Sequence, residues 1–390
     1  MAYSNKPLIY LDYAATTPLD PRVLEAMHPY LVTQYGNPSS VHQLGRQARF
    51  AVEEAREKVA ALLGAEPSEI IFTSGATEAN NLALKGAMAC LPGKTLITSQ
   101  VEHKAVLKPA QRLQKQGYSV TFLSPDRYGQ IPVDTLQRAL QERTGLVSLM
   151  MVNNELGTCN PIQEMASICR EQGVLFHTDA VQAVAYLPVN VAILGVDMLS
   201  LSAHKIYGPK GVGVLYVRGG VEILPQIEGG AQERNRRAGT EHVSGIVGMA
   251  KALELAVQER EERAQHVRML RQQLYEALRE ALGERFVLNT PLEHSAPHIL
   301  HVAFPPIDDQ PVDGEMLLLN MDLEGICVSS GSACTSGAIE PSHVLQAIGL
   351  KPEVAGAAIR FSLGKETTRQ EITYVVERLA HILPRMTTWV

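Results

Sequence analysis

The chain has 390 residues, which at about 150 residues per domain predicts two or three domains. With 45% hydrophobic residues and a net charge of −6, the composition excludes extensive disorder and lacks the basic surplus that nucleic-acid-binding proteins need. No apolar run reaches the ~18 residues of a membrane span, and the N-terminal residues lack the pattern of a signal peptide, so we expect a cytoplasmic protein that binds neither membranes nor nucleic acid.

Short apolar runs alternate with amphipathic stretches from residue 69 to residue 217. The runs read as strands: EIIFTS, KTLITS, YSVTFLS, LVSLMMVN, VLFHTD, VDMLSLS and GVGVLYV. Helical patterns such as AVLKPAQRLQKQG and PIQEMASICREQG lie between them. Strand–helix alternation predicts a mainly parallel sheet with helices on both faces. Ligands of such sheets bind beyond the carboxyl ends of the strands.

The pattern changes in the C-terminal part of the chain. Residues 241–282 have apolar positions at helical spacing with charges between them, which predicts one long helix. Shorter runs follow, FVLNT, ILHVAF and AAIRFSL, with helical patterns at residues 314–323 and 368–386. We therefore expect an α/β protein, with a large domain at residues 15–260 and a smaller α+β domain at residues 1–14 and 261–390.

Two strand ends carry side chains suited to one cofactor. Lys205 lies in SAHK, directly after the run VDMLSLS, and Asp179 ends the run VLFHTD. Both side chains should project from the same edge of the sheet. A lysine that binds an aldehyde covalently, with a carboxylate that holds a pyridinium proton, is what pyridoxal phosphate requires.

A third strand end predicts a cradle for the phosphate. Residues 74–78, SGATE, follow the run EIIFTS and begin a helix. Small residues at a helix N-terminus offer backbone N–H groups and a favourable dipole to an anion. Such a turn is by itself also a common helix cap, but here it joins two other strand ends that point to the same cofactor.

These motifs resemble one enzyme family along nearly the whole chain. The sequence is similar to the cysteine desulfurases of the NifS/IscS type, which are fold-type I pyridoxal-phosphate enzymes of the class V aminotransferase superfamily. The matching motifs are YLDYAATTP (10–18), YGNPSSVHQLGR (35–46), TSGATEANN (73–81), EHKAV (102–106), VNNELGT (152–158), HTDAVQ (177–182), SLSAHKIYGPKGVG (200–213), RRAGTEH (236–242), SSGSACTSG (329–337) and AIRFSLG (358–364). The resemblance implies a large cofactor-binding domain with a mainly parallel sheet, a smaller domain, and a homodimer.

The resemblance also assigns roles to individual residues. It implies that Lys205 binds the cofactor covalently, that Asp179 partners the pyridine nitrogen, and that His103 stacks on the ring and moves protons. It further implies that Arg360 binds the substrate carboxylate, with Asn154 contributing to both cofactor and substrate binding. The remaining implied cofactor ligands are Ala76, Thr77, Gln182, Ser202 and His204, together with Thr240, which the family contributes from the neighbouring subunit.

Cys334 is the residue that indicates which reaction the enzyme catalyses. The odd count of five cysteines and the lack of a C-x-x-C pair argue against a disulfide framework and against a closed metal site in one chain, and most lone cysteines are small buried hydrophobes. Cys334, however, lies among Ser, Gly, Ala and Thr in SSGSACTSG, a composition that predicts a mobile loop. By the resemblance, Cys334 takes sulfur from L-cysteine as a persulfide, leaving L-alanine, and passes it to an acceptor or iron–sulfur scaffold protein.

Two other functions remain open at this point. A selenocysteine or cystine lyase would use the same cofactor site without needing Cys334. A non-enzymatic scaffold would hold a cluster or metal through Cys327 and Cys334, but two thiols complete only half of such a site and leave Lys205 and Asp179 without a purpose. We therefore predict no metal site in this chain, and a cysteine desulfurase as its function.

Overall fold

A computed structural model describes residues 6–330 and 342–386 of the chain. Its strands are β1 (Ile9–Tyr10), β2 (Ile70–Thr73), β3 (Thr95–Ser99), β4 (Ser119–Leu123), β5 (Thr144–Ser148), β6 (Leu175–Asp179), β7 (Met198–Ser202), β8 (Gly213–Val217), β9 (Val287–Leu288), β10 (Ile299–Ala303), β11 (Ile326–Cys327) and β12 (Ala358–Ser362). Among its helices are α1 (Pro21–Val32), α2 (Gln43–Leu63), α3 (Ala76–Asn81), α4 (Lys104–Lys115), α5 (Val133–Ala139), α6 (Ile162–Glu171), α7 (Val191–Leu194), α8 (Val243–Gln258), α9 (Arg260–Leu282), α10 (Gly314–Leu323), α11 (His343–Ala347), α12 (Pro352–Ala355) and α13 (Arg369–Ile382). Helix α3 continues through a π-helical turn, Leu82–Gly86, and one further turn, Ala87–Ala89.

The main sheet has seven strands in the order β2–β8–β7–β6–β5–β3–β4. Strand β8 runs antiparallel to both of its neighbours, and the other pairs are parallel. Strands β2, β6 and β7 therefore end at the same edge of the sheet. The mainly parallel sheet predicted from the strand–helix alternation is confirmed.

Successive strand residues pack on opposite faces of this sheet. Ile71, Leu96 and Met198 belong to one buried cluster, which includes residues of α3 and α4. Phe72 and Leu199, their neighbours in β2 and β7, belong to a second cluster with residues of α2, α6 and α8. Because both faces are covered by helices, the strands are apolar on both sides, which explains their nearly continuous hydrophobic runs.

The predicted long helix at residues 241–282 is wrong, because the structure has two helices that meet at Glu259. The backbone of Glu259 leaves helical geometry, with φ −100° and ψ 6°. Its carboxylate accepts hydrogen bonds from Arg22 Nη1 at 2.6 Å and Arg263 Nη2 at 2.5 Å. The contact between Glu259 and Arg22 of α1 holds the chain at this break. Hydrophobic periodicity could not reveal this contact, because the two residues lie 237 positions apart in the sequence.

The strand predicted in LVSLMMVN is also shifted. Strand β5 begins earlier, at Thr144, and ends at Ser148. Beyond this point the N–H groups of Leu149 and Met151 still donate to carbonyl oxygens of β6, but the N–H of Met150 donates to Oε1 of the buried Glu102 at 2.9 Å instead of to a strand. The residues after β5 thereby become part of the wall at the carboxyl edge of the sheet.

The remaining strands join the two ends of the chain. Strand β1 pairs in parallel with β11, and β12, β10 and β9 form an antiparallel sheet. Helix α9 packs along α13, whereas α1 and α2 both pack on α8. The domain limits at residues 14 and 260 stay a prediction. None of the described helices combines the length and apolar character needed to cross a membrane.

The contact of β8 with the turn after β2 predicts a specific sensitivity. A Cβ at Gly213 would lie 2.6 Å from the Leu201 carbonyl oxygen and 2.7 Å from Gly75 Cα. We expect Gly213→Ala to lower the free energy of unfolding by about 1–3 kcal/mol, because backbone atoms must move to make room. Chemical denaturation measures this. In the control, Gly219→Ala, the nearest atom lies 3.5 Å away, and equal destabilisation of both variants would contradict the prediction.

Candidate active site

A cavity of about 780 Å³ opens at the carboxyl edge of the main sheet. Residues after β2, β6 and β7 line it, together with the N-terminal segment and residues of β12. Most of the residues assigned from the sequence meet in its wall: Ala76, Thr77, His103, Asn154, Asp179, Gln182, Ser202, His204, Lys205 and Arg360. The fold therefore brings together side chains that are separated by up to 284 positions in the sequence (360 − 76).

Lys205 lies just beyond β7 and is held by the beginning of the chain. Its Nζ donates to the carbonyl oxygens of Ala14 and Ala15, both at 2.6 Å. Burial lowers the pKa of this amine to about 8, with the Arg360 cation acting in the same direction and Asp12 and Asp179 acting against it. An amine with this pKa is partly neutral near physiological pH and can attack an aldehyde carbon.

Asp179 ends β6 and is held by two donors. Its Oδ1 accepts from the Val181 N–H at 3.0 Å, and its Oδ2 accepts from Asn80 Nδ2 at 2.7 Å. Asn80 is fully buried in α3 and was not identified in the sequence. The sequence did show that Asn80 lies one turn into the helix that follows the turn at residues 74–78, and the structure places it facing β6. Both hydrogen bonds orient the carboxyl group, whose oxygens can bind a protonated pyridine nitrogen.

The turn after β2, where an anion cradle was predicted at residues 74–78, joins the end of a strand to the start of a helix. Gly75 adopts φ +147°, a conformation that side chains rarely allow, and α3 begins at the next residue. The first N–H groups of a helix have no acceptor within it. Glu78 does not oppose an anion here, because its carboxylate accepts from the Ser74 N–H at 2.7 Å and from Arg237 Nε at 2.8 Å.

Two further residues complete this cradle. Ser202 ends β7, and a Cβ at Gly75 would lie 3.9 Å from the Ser202 hydroxyl oxygen. His204 contacts Thr16 Oγ1 through Nδ1 at 3.2 Å, and burial, helped by Lys205 and Lys210, lowers its pKa to about 4. Its ring is neutral and can donate one hydrogen bond. The amine, the carboxylate and the cradle thus fit the aldehyde, pyridine nitrogen and phosphate of pyridoxal phosphate.

His103 stands in the cavity wall at the start of α4. Its Nδ1 accepts from the Ala105 N–H at 3.1 Å, so the neutral ring carries its hydrogen on Nε2. Although the side chain is exposed to the cavity, removal from bulk water lowers its pKa, with Lys205 acting in the same direction and Asp179 against it. The ring is therefore set to donate a proton from Nε2 and to recover it.

Arg360 lies in β12 with most of its guanidinium already bound. Nη1 donates to the Asn154 carbonyl oxygen at 2.8 Å, and Nη2 pairs with Asp12 Oδ1 at 2.7 Å. Its Nε is buried and has no acceptor among the described residues. Asp12, like Asn80, was not identified from the sequence. Nothing in the motif YLDYAATTP indicates that its aspartate pairs with an arginine 348 positions away.

Gln182 connects the N-terminal segment to the small antiparallel sheet. Its Nε2 donates to the Ala14 carbonyl oxygen at 2.9 Å, and its Oε1 lies 3.3 Å from Nε2 of the buried His298. The His298 ring stacks on Tyr186 with ring centroids 4.1 Å apart. The amide is therefore fixed at both ends, as a ligand of a planar cofactor needs to be.

Two assigned residues are not in this cavity. Thr240 is exposed and is absent from the wall that the described residues form. Cys334 lies outside the described residues. On the two sides of residues 331–341, the Ser329 carbonyl oxygen accepts from the Arg360 N–H at 2.6 Å and the Ser342 hydroxyl lies 2.5 Å from Glu155 Oε2. Within residues 6–330 and 342–386, no group of His, Cys, Asp or Glu is placed to hold a metal ion.

The low pKa of Lys205 predicts how covalent attachment of pyridoxal phosphate depends on pH. Only the neutral amine reacts, so the attachment rate should rise as the pH passes through 8 and level off above about pH 9, rather than rising beyond pH 10 as for an ordinary lysine. Stopped-flow absorbance measures the rate. Arg360→Gln removes a nearby cation and should move the midpoint upward. A wild-type midpoint above 10 would contradict the assignment.

Comparisons with known proteins identify the family of this chain. Residues 9–375 match the model of the family described as aminotransferase class-V. The cysteine desulfurase IscS of Dictyoglomus turgidum is 50% identical and covers 97% of this chain and 95% of its own length. A solved NifS-like protein is 41% identical with a TM-score of 0.90, covering 97% of this chain and 100% of its own. A structure of SspA in complex with cysteine is 38% identical with a TM-score of 0.80, covering 92% and 100%. The resemblance predicted from the motifs is confirmed, and the chain belongs to the class V aminotransferase family.

Proposed function

We propose that this protein is a pyridoxal-phosphate-dependent cysteine desulfurase that converts L-cysteine to L-alanine and takes the sulfur onto Cys334 as a persulfide. The observation that carries the proposal is the convergence of Lys205, Asp179 and the cradle after β2 in one cavity. The relatives named as cysteine desulfurases support the choice of reaction within the family. An assay of alanine and sulfide from L-cysteine with a reductant tests it directly.

The chain's own residues would divide the cofactor chemistry between them. Bound pyridoxal phosphate supplies an electron sink for the bonds at the substrate Cα. Lys205 would hold the cofactor until the substrate amine displaces it, and the Ala14 and Ala15 carbonyl oxygens would then accept its N–H groups. Asp179, oriented by Asn80, would keep the ring nitrogen protonated. His103 would donate and recover a proton at Nε2.

Arg360 would bind the substrate carboxylate. Its Nε–H is free of an acceptor in the described part of the chain, and a buried guanidinium binds a carboxylate more strongly than an exposed one. Asp12 and the Asn154 carbonyl oxygen hold its other nitrogens, so the group is oriented before the substrate arrives. This arrangement favours an α-amino acid whose carboxylate reaches into the cavity.

The sulfur step would be a displacement at sulfur. The Cys334 thiolate attacks the substrate's sulfur and forms an S–S bond while the C–S bond breaks. The electron pair of that bond stays on the carbon, which takes a proton to become the methyl group of alanine. A thiolate of a reductant or of an acceptor then attacks the persulfide, which releases sulfide or transfers the outer sulfur.

The alternatives make different demands on the cysteines. A selenocysteine or cystine lyase would release its product without Cys334. A cluster scaffold would need Cys327 as a ligand, but burial and the nearby Asp322 and Asp12 carboxylates raise the pKa of that thiol. A raised pKa disfavours the thiolate that binds metal. Of the desulfurase, lyase and scaffold hypotheses, the scaffold hypothesis therefore has the least support.

The homodimer, the sulfur acceptor and the cytoplasmic location are part of the same proposal. Thr240 is exposed and outside its own cavity, as expected of a residue that serves a partner's phosphate site. Helices α1 and α2 pack on α8, which begins just after Thr240. Large apolar side chains are exposed along these two helices and their connection, which favours a surface covered by a second subunit: Leu31, Val32, Tyr35, Val41 and Phe50.

An acceptor or iron–sulfur scaffold protein would take the sulfur.

The first prediction concerns Cys334. Cys334→Ala should bind pyridoxal phosphate with wild-type affinity, because the cavity residues are unchanged, but should release no sulfide from L-cysteine in the presence of a reductant. Cys90→Ala, which removes a half-buried thiol elsewhere in the chain, is the matched control and should retain activity. Sulfide production at the wild-type rate by Cys334→Ala would favour a lyase instead.

The second prediction concerns Thr240. Thr240→Ala should weaken binding of pyridoxal phosphate by about tenfold, since a hydrogen bond to a charged group is lost, and the protein should sediment as a dimer. Thr373→Ala removes an exposed hydroxyl on α13 and should bind normally. An active monomer at micromolar concentration, or unchanged affinity in Thr240→Ala, would refute the shared site.

A further inference from the structure

An unusual backbone turn precedes Thr240. Glu233, Arg234 and Asn235 all adopt left-handed conformations, with φ of 46°, 57° and 62°. L residues other than glycine visit this region mostly as single residues, because the side chain approaches the following carbonyl group. Three in a row persist only where the surroundings hold them, and such strain concentrates at functional sites.

Glu233 ties this turn to the core. Its side chain is buried, and its carboxylate accepts from Arg56 Nη1 at 2.8 Å, from Arg56 Nη2 at 2.9 Å and from the Phe72 N–H at 3.1 Å. Arg56 is also buried and donates to the Ile70 carbonyl oxygen at 2.9 Å. A buried ion pair adds little net stability over an apolar pair of similar size. Its two-point geometry does, however, fix the direction of the chain.

The residues after the turn are attached to the same subunit's cradle. Arg236 Nη2 donates to the Ser68 carbonyl oxygen at 2.7 Å, just before β2. Arg237 pairs with Glu78, whose other contact is the Ser74 N–H in the cradle. Thr240, three residues later, is exposed. The segment is thus fastened inward through Gly239, whose N–H donates to Gln232 Oε1 at 3.1 Å, and only then does it present the exposed Thr240.

We propose that Glu233, bound by Arg56, is a positioning residue for the phosphate site of the partner subunit. This inference rests on the proposed shared site at Thr240. The ion pair maintains the left-handed turn, the turn sets the path of the chain from Arg236 to Gly239, and Thr240 thereby reaches the phosphate of the partner's pyridoxal phosphate. Glu233 would act on the site to which its own chain contributes Thr240, rather than on the site that contains its own Lys205.

Mixed dimers separate these two possibilities. The Glu233→Gln homodimer, stripped of cofactor and titrated with pyridoxal phosphate, should bind at least about tenfold more weakly than wild type. In a mixed dimer of a Glu233→Gln chain with a Lys205→Ala chain, the Lys205 site on the Glu233→Gln chain receives Thr240 from a chain with intact Glu233. Borohydride reduction and mass measurement of that chain should therefore show wild-type affinity. Affinity as weak as in the homodimer, or unchanged affinity in the homodimer, would overturn the proposal.

A second mixed dimer distinguishes this inference from the shared site itself. This dimer combines a Thr240→Ala chain with a Lys205→Ala chain. If sites are shared, the Lys205 site on the Thr240→Ala chain must bind pyridoxal phosphate with wild-type affinity. If it does not, the shared site fails. If it returns for Thr240→Ala but not for Glu233→Gln, only the role of Glu233 fails.

Two further variants test the turn and protect against loss of folding. Adding Arg234→Gly and Asn235→Gly to Glu233→Gln should recover affinity in the homodimer, because glycine adopts left-handed conformations without steric cost. No recovery would mean that Glu233 does not act through the turn. If loss of the buried carboxylate facing Arg56 causes Glu233→Gln to unfold, Arg56→Met with Glu233→Met removes both charges of the pair and should give the same homodimer and mixed-dimer results.

Discussion

The removal of the Lys205 amine from water is the constraint on which the site depends. A buried ammonium needs compensating groups, and the chain supplies two carbonyl oxygens from its beginning, at Ala14 and Ala15. Because neither carries a full charge, the amine keeps a pKa of about 8 and stays reactive. A carboxylate in the same place would have raised the pKa and weakened the nucleophile.

The N-terminal segment is therefore as much a part of the site as the strand ends. Thr17 Oγ1 donates to the His204 carbonyl oxygen at 3.0 Å and accepts from the Tyr207 N–H at 2.8 Å, which fixes the segment across the end of β7. Asp12, at its start, holds Arg360. One short stretch of chain thus sets the position of the nucleophile and of the proposed carboxylate-binding group together.

The mainly parallel sheet and the edge at which the cavity opens followed from the sequence, because buried parallel strands leave a local pattern and their ends meet at one edge. Lys205, Asp179 and the turn at residues 74–78 were found in this way, and the motifs supplied His103 and Arg360. Asn80 and Asp12 were missed, because their roles depend on partners 99 and 348 positions away. The helix break at Glu259 escaped for the same reason. Periodicity records which face is buried, but not which distant side chain meets it.

The most direct test of the account follows the sulfur atom to its first acceptor. Holoenzyme exposed once to L-cysteine without a reductant should yield one alanine per chain and a gain of about 32 Da, one sulfur, on the peptide containing Cys334. The thiols of Cys159 and Cys169, whose pKa burial raises to about 12, should remain unmodified. Pyruvate in place of alanine, or alanine with no sulfur on Cys334, would contradict the desulfurase mechanism.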